Sequence, residues 1–299
     1  MKPLRVALIH RDSPRSTDKR MVGIWSYPVP EFTWDHYPIS RAQKLVPGGF
    51  QLDRADFAGE YDLIFYEDGK LHGRFTGAAD IPIAYYVVDS TLTQDHYKIR
   101  RQQAAQCDLV LVDHDELQRF RWRDGPIVRR LSHCVNDTWF RDYGLEKSID
   151  VSFHCRVKGS PQRAELEAWL AEFCAQEGYS YANGTRYDEE YAQAFNRSKV
   201  TVNLARTPTN RPHRVFDALA CRVCLVSSVL PAVDPIEIVP GVHYEEYRDR
   251  KGLAALLHGL LAGIWGYFAV QGYEHVQKYH TWAARAKELR LILREELGI

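Results

Sequence analysis

The 299-residue chain has no excess of either charge: 39 Lys and Arg stand against 39 Asp and Glu. That balance steers the molecule as a whole toward neither nucleic acid nor a membrane surface. No stretch approaches the roughly 20 apolar residues of a membrane span, so none is expected. Residues 1–9 are too short for a signal peptide and read as a strand. The motif G-x-G-x-x-G is missing, which removes the dinucleotide fingerprint. No short-period repeat or low-complexity segment is present. Cysteine is sparse: Cys107, Cys134, Cys155, Cys174, Cys221 and Cys224 lie mostly in apolar runs, as buried thiols of a reducing cytoplasm do. Cys221-x-x-Cys224 invites a redox or zinc reading. It sits at a helix-to-strand passage without a second ligand pair at metal spacing, so no metal is expected.

What is present is alternation. Short apolar runs at residues 4–9, 62–66, 83–88, 109–112 and 127–131 have the length and composition of buried strands. A helical pattern over 93–107 and a short one ending at Phe120 lie between them. The pattern loosens at 136–148 and restarts with a strand at 149–155, a helix at 161–176, a strand at 179–181 and a helix at 189–197. Helices at 252–262 and from 266 to 297 close the chain. Strands alternating with helices imply parallel, helix-covered sheets of the α/β class. The expected division is 1–147 and 148–280, two Rossmann-like units followed by a helical tail. Residues 15–49 are irregular, with Pro28, Pro30, Pro38 and Pro47 among Trp25, Tyr27, Phe32, Trp34 and Tyr37. Such a segment is either a functional or mobile loop or a surface loop pinned by its own rings.

The stretch KVTVNLARTPTNRPHRVFDALACRVCLVSSVLP, residues 199–231, organises the second half. It reads as a buried strand, a polar loop, a short helix beginning near Arg211 to Arg214, and a second buried strand. The loop opens on the carboxyl edge of a parallel sheet, where open α/β sheets bind ligands. A helix amino end beside guanidinium groups forms an anion site of the kind that holds phosphate. Asn203 and Asn210 lie in the same loop, with reach for phosphate or sugar.

RVFDALACRVCLVSS (214–228) resembles the R-x-F-E-A-x-A-C-G block of GT-B glycosyltransferases. YEHVQKYHTWAARAKELRLIL (273–293) resembles the closing block of the spore-maturation-protein (CgeB-like) glycosyltransferases. The segment AYYVVDSTLTQDHYKIRRQQAAQCDLVLVDHDELQRF (84–120) is similar to that family's amino-terminal part. The resemblance implies a GT-B fold, two Rossmann-like domains facing across a cleft, with the last helix (about 281–299) packing back on the first domain. It further implies transfer of a sugar from a nucleoside diphosphate donor, UDP above all, to an acceptor hydroxyl. Retention of anomeric configuration and independence of metal and other cofactors are implied as well.

By that resemblance Asp217 takes the place of the acidic residue that binds the ribose hydroxyls; otherwise it caps or solvates a helix. A carboxylate suits the first role because it accepts from two adjacent hydroxyls. The family's following glycine is Arg222 here, and Thr209 stands where related family 4 (group 1) enzymes carry a second Glu. The diphosphate calls for fixed cations, and the candidates are Arg214, Arg206, Arg156, Lys158 and Arg163. Any single Arg of this set is otherwise a solvated surface cation. On the first domain Asp89 ends a strand, either to orient the sugar or accept the acceptor's proton, or to cap the helix that follows. His10, ending the first strand, is a lesser candidate for the same chemistry. His280 and Arg285 belong to the closing block, where Thr281 as helix N-cap is the expected feature.

Two acceptor readings stand. Arg119 to Arg130, RFRWRDGPIVRR, places Arg119, Arg121, Arg123, Arg129 and Arg130 around Trp122. Cations interleaved with an aromatic suit phosphates and a stacked base, so a hydroxymethylated base in phage DNA is one acceptor. A glycan, protein or small molecule is the other. Outside catalysis, the alternative is a non-catalytic nucleotide-sugar binder on a GT-B scaffold.

Overall fold

The computed structural model describes residues 2–10, 28–39, 44–46, 49–67, 72–87, 94–112, 120–186, 188–205, 211–231 and 238–299. The chain divides into two compact units, Met1–Ser132 with Trp282–Ile299, and His133–Thr281.

The first unit is built on a six-stranded sheet in the order β2-β1-β5-β7-β8-β9, parallel throughout. Its strands are β1 (Leu4–His10), β2 (Phe32–Pro38), β5 (Leu63–Glu67), β7 (Ile83–Val87), β8 (Leu109–Val112) and β9 (Ile127–Arg130). Every residue of β5, β7 and β8 is buried. Continuous apolar runs such as LIFY and LVLV are what a strand covered on both faces requires. A smaller sheet, β3 (Lys44–Val46), β4 (Gly49–Asp53) and β6 (His72–Thr76), lies outside the main alternation. Helix α1 (Gln94–Ala104) follows β7, and the last helix, α7 (Trp282–Leu297), belongs to this unit.

Residues 32–38 correct the expectation of an irregular segment over 15–49. FTWDHYP is the edge strand β2, paired in parallel with β1 from Leu4↔Phe32 to His10↔Pro38. Phe32 is buried, and the Trp34 ring meets Phe65 and Trp282. An edge strand alternates polar with apolar residues and tolerates proline at its end, so it lacks the continuous apolar signal of its neighbours. The short helix expected before Phe120 lies outside the described residues.

The second unit carries a five-stranded parallel sheet in the order β11-β10-β12-β13-β14. Its strands are β10 (Ile149–Phe153), β11 (Tyr181–Asn183), β12 (Ser198–Asn203), β13 (Cys224–Ser228) and β14 (Glu245–Tyr247). Its helices are α2 (Pro161–Glu177), α3 (Asp188–Asn196), α4 (His213–Ala220), α5 (Arg250–Gly259) and α6 (Trp265–Tyr279). Side chains alternate across β13: Cys224 and Val226 join a core with Leu170, Leu253 and Phe268. Leu225 joins the opposite core with Phe195, Phe216 and Val276. α6 approaches α4 so closely at Gly272 that a Cβ there would lie 2.5 Å from Leu219 Cδ2.

The boundary expected at 147/148 falls inside this unit. Val135 and Phe140 are wholly buried in its core. Asn196 clasps the same segment, accepting from Tyr143 N–H at 2.7 Å and donating to the Arg141 carbonyl at 2.8 Å. The loosened pattern there marks irregular but packed chain, not a linker.

The two last helices of the unit form one run, Arg250–Tyr279, through a π-helical turn at Leu260–Ile264. Gly263 breaks it with φ 141°, a backbone state that side-chain-bearing residues avoid. Among the described residues this run alone is long and apolar enough to cross a membrane, an 18-residue window within it having mean hydropathy 1.7. That departs from the expectation that no such stretch exists, because Gly and Ala dilute the apolar signal without lowering mean hydropathy to the ordinary range. Length and composition are the whole of that evidence. Leu253, Leu257, Leu260, Phe268 and Ala269 pack into the core, while Ile264 and Tyr267 are exposed.

Candidate functional site

In the second unit, β10 is joined by β11 on one side and β12 on the other. The chain therefore reverses direction across the sheet between β10 and β12, and the crevice at their carboxyl ends is the topological switch point. His154, Cys155 and Arg156 follow β10, and Asn203 ends β12 with Leu204 and Ala205 after it. Helices α2 and α4 follow the same two strands, and neither has a side-chain cap. Uncapped amino ends present N–H groups and positive dipole to whatever lies beyond them.

Hydrogen bonds fix the end of β12. Asn203 is 1% exposed; its amide donates to Ser227 Oγ at 2.7 Å, and its carbonyl accepts from Tyr247 OH at 3.1 Å. Its Oδ1 accepts from Arg214 Nε, and Arg214 Nη2 donates to the Leu204 carbonyl at 3.1 Å. Arg214 is thus held in α4's first turn by two acceptors that carry no charge. Arg163, 8% exposed in α2's first turn, donates to the carbonyls of Arg156 at 3.4 Å and Leu204 at 3.1 Å. It braces the loops after β10 and β12 across the crevice. Arg156 and Lys158 are exposed in the first of those loops.

Asp217 lies one turn after Arg214 and is 2% exposed, in a helix buried from Val215 to Ala220. Burial pushes the Cys221 thiol well above its usual value, and the Asp217 charge adds to the shift. Burial likewise raises Cys224, and all six cysteines are free and buried. These thiols lack the exposure and depressed pKa of a redox pair. No group of three or more His, Cys, Asp or Glu able to hold a metal occurs among the described residues.

Arg222, at the position of the resembling family's glycine, adopts φ 52°. The left-handed turn that glycine serves is therefore kept by an arginine, whose Nη1 reaches Asp142 at 3.1 Å. Arg206, Thr209 and Asn210 lie outside the described residues.

In the first unit, His10 ends β1 with its ring 5.4 Å from that of His36. Burial, and then His10, lower the His36 pKa. Asp89 and Arg119 lie outside the described residues. Arg121, Trp122 and Arg123 precede β9 and so lie at its amino end, the edge opposite to ligand crevices of parallel sheets. Trp122 packs beside Gly125 with the Arg101 guanidinium 5.0 Å above its ring. Arg121 and Arg123 are exposed. Arg129 Nε donates to Glu296 at 2.7 Å, and Arg130 is half-buried on the same edge strand. The structure therefore brings Asn203, Arg214, Asp217, Arg163 and Arg156 to one sheet edge and leaves Arg121, Trp122 and Arg123 at the amino end of β9. Sequence reading missed His154, Ser227 and Tyr247. A histidine directly after a buried strand was a legible signal; nothing in the spacing marks Tyr247.

His154 is 4% exposed, with Nδ1–H donating to the Gly184 carbonyl at 3.3 Å between the rings of Tyr191 and Phe195. Burial lowers its pKa to about 4, so the imidazole is neutral at physiological pH.

Residues 143–290 match the family model described as glycosyl transferase-like. That stretch is a glycosyltransferase-family domain. The fold of the chain is GT-B, as that of similar solved structures is. One is sucrose-phosphate synthase from Thermosynechococcus elongatus, 14% identical at TM-score 0.60, with 99% of each chain covered. Another is HepE from Anabaena in complex with UDP and glucose, 10% identical at TM-score 0.62, covering 98% of this chain and 100% of that one. TarM is similar over 76% of this chain and 53% of its own, 10% identical at TM-score 0.57. No curated protein sequence matches significantly. The switch-point crevice lies wholly inside the matched residues.

Proposed function

We propose that this chain moves a sugar from a UDP-sugar to an acceptor hydroxyl, with retention of configuration and without a metal. The donor reading is supported by HepE, whose structures hold UDP, UDP with glucose, and UDP-glucose. The observation that carries it is Arg214, held at the carboxyl end of β12 by Asn203 and the Leu204 carbonyl, one turn before Asp217. In this reading the Arg214 guanidinium and the uncapped first turn of α4 stabilise charge on the departing diphosphate. Arg156 and Lys158 reach the same phosphates from the loop after β10, while Arg163 holds that loop in place. Asp217 accepts from the ribose hydroxyls. Arg206 and Asn210 extend the sugar and phosphate contacts, and Asp89 or His10 takes the acceptor's proton.

The acceptor in this proposal is a glycan, protein or small molecule in preference to DNA. Of the basic cluster that favoured DNA, Arg121, Trp122 and Arg123 lie at the amino end of β9 and Arg129 is paired with Glu296, while the balance of 39 basic and 39 acidic residues gives no net attraction for a polyanion. Calorimetric titration with UDP, and donor hydrolysis over a panel of nucleotide sugars, test the proposal. Expected are UDP binding that disappears in Asp217→Ala with the circular dichroism unchanged, and slow release of UDP from one donor. UDP binding untouched by that substitution would sink the assigned site; release of nucleotide from no donor would leave a binding protein.

A further inference from the structure

In the first unit a cavity of about 380 Å³ opens between α7 and the amino ends of β1 and β2. Lys2, two residues before Leu4, and Glu31, directly before Phe32, form one wall; Lys287, Arg290 and Arg294 form the other. The Leu4 N–H donates to the Glu31 carbonyl at 3.0 Å and fixes the first wall. The second wall is one stripe of α7, since residues three, four and seven apart lie on the same helical face. Two of the helix's carboxylates are engaged elsewhere, Glu288 with Arg285 and Glu296 with Arg129, and the third, Glu295, is exposed and does not line the cavity. Lys2, Lys287 and Arg294 make no ion pair among the described residues. Arg290 Nη1 donates to the Ile299 carbonyl, which fixes the side chain. Four cations therefore line a small concave space with one carboxylate side chain, Glu31.

A solvated basic helix face is the ordinary fate of such residues, but two features separate this one from it. The cations converge on a cavity from two distant parts of the chain, so their like charges are held together by the fold. Pro30 and Leu291 also line the space, and Leu291 is 43% exposed there. We propose that this cavity binds the phosphomonoester group of a small organic molecule, the guanidinium forks of Arg290 and Arg294 taking its oxygens. Guanidinium matches phosphate geometry and lysine adds a point charge. The apolar residues contact the organic part, and the volume is within the range of small-molecule sites. The site shares no residue with the switch-point crevice of the second unit and stands independently of the donor reading. A ligand there ties the start of the chain to the last helix, holding α7 against β1 and β2.

The test is calorimetric titration of the full chain with glucose 6-phosphate against glucose, and flotation with phosphatidylcholine vesicles with and without phosphatidic acid. Both arms present a phosphomonoester, free in one and lipid-borne in the other. Expected is binding of at least one phosphate-bearing probe, weakened about tenfold or more by the double reversal Lys287→Glu and Arg294→Glu. Arg214→Ala should leave that binding unchanged, and amide exchange in α7 should slow on addition of the bound probe. Both reversed side chains are exposed, so the fold should survive; the milder Arg294→Gln, read by the same titration, covers the case where it does not. No binding of either probe at millimolar concentration, or binding indifferent to these substitutions, would overturn the proposal.

Discussion

In the second unit Arg163 and Arg214 both donate to the Leu204 carbonyl. In the first, Arg129 reaches Glu296, and Arg5 lies 3.5 Å from Glu60 and 4.0 Å from Asp35. The sheets share parallel pairing and a strand order that reverses beside the first strand, yet the two arginines at the carboxyl end of β12 are held differently from Arg129 and Arg5. A carboxylate fixes a guanidinium and cancels its charge. A carbonyl fixes it and leaves the charge standing. The second arrangement costs more in isolation, because the part-buried Arg214 has no carboxylate partner among the described residues. It also leaves a field that an anionic ligand completes.

Asp217→Ala should break this contrast most severely. We expect UDP affinity to fall about a hundredfold or more, roughly 2.7 kcal/mol or more, by calorimetry, while Arg129→Ala leaves it unchanged. Arg163→Met removes the brace between two loops and two hydrogen bonds from a charged donor. The expected loss is roughly 2–3 kcal/mol of stability, read by chemical denaturation, accompanied by weaker UDP binding.

The third prediction concerns acid. His154 has a folded pKa of about 4 against a usual 6.5. As pH falls below 6.5 the unfolded chain takes up the proton first, so stability is full above that value and declines toward pH 4. The decline is of order 3 kcal/mol or less, and His154→Gln should flatten it in melting temperatures taken from pH 7 to 4. Tyr247→Phe deletes the hydroxyl that holds the Asn203 carbonyl and should cost about 1 kcal/mol. Arg129→Ala breaks a partly exposed pair in the first unit and should cost under about 1 kcal/mol, the smallest effect by denaturation.

Buried strands were legible because both faces are covered, so runs such as LVLV and LIFY carry an unbroken signal. The edge strand β2 was not, since only Phe32 of its seven residues is buried and Pro30 and Pro38 mark its ends. The crevice was legible in position: a polar loop after β12 is bound to open at the carboxyl edge of a parallel sheet. The residues that shape it were less so. Ser227 and Tyr247 reach Asn203 from strands distant in sequence, and only the pairing of β12, β13 and β14 brings them together. Arg163 was chosen as a phosphate ligand for its charge; its carbonyl partners, Arg156 and Leu204, are invisible to spacing. Arg222 stood out as a departure from a glycine pattern, yet the left-handed backbone at φ 52° is retained beneath it.

The second unit also closes on itself. Val135 N–H donates to the His280 carbonyl at 2.8 Å, and Val135 bridges Thr281 in parallel. The chain enters and leaves this unit at one place, with the first unit's sequence on either side. Topologically it is an insert with adjoining ends, the arrangement most tolerant of excision, transplantation and circular permutation. A fragment cut at residues 133 and 281 keeps Val135, Phe140 and the Asp142–Arg222 pair; one begun at 148 loses them all. Expressed alone, the longer fragment should fold cooperatively and the shorter should not, which makes the second unit a separable and exchangeable part.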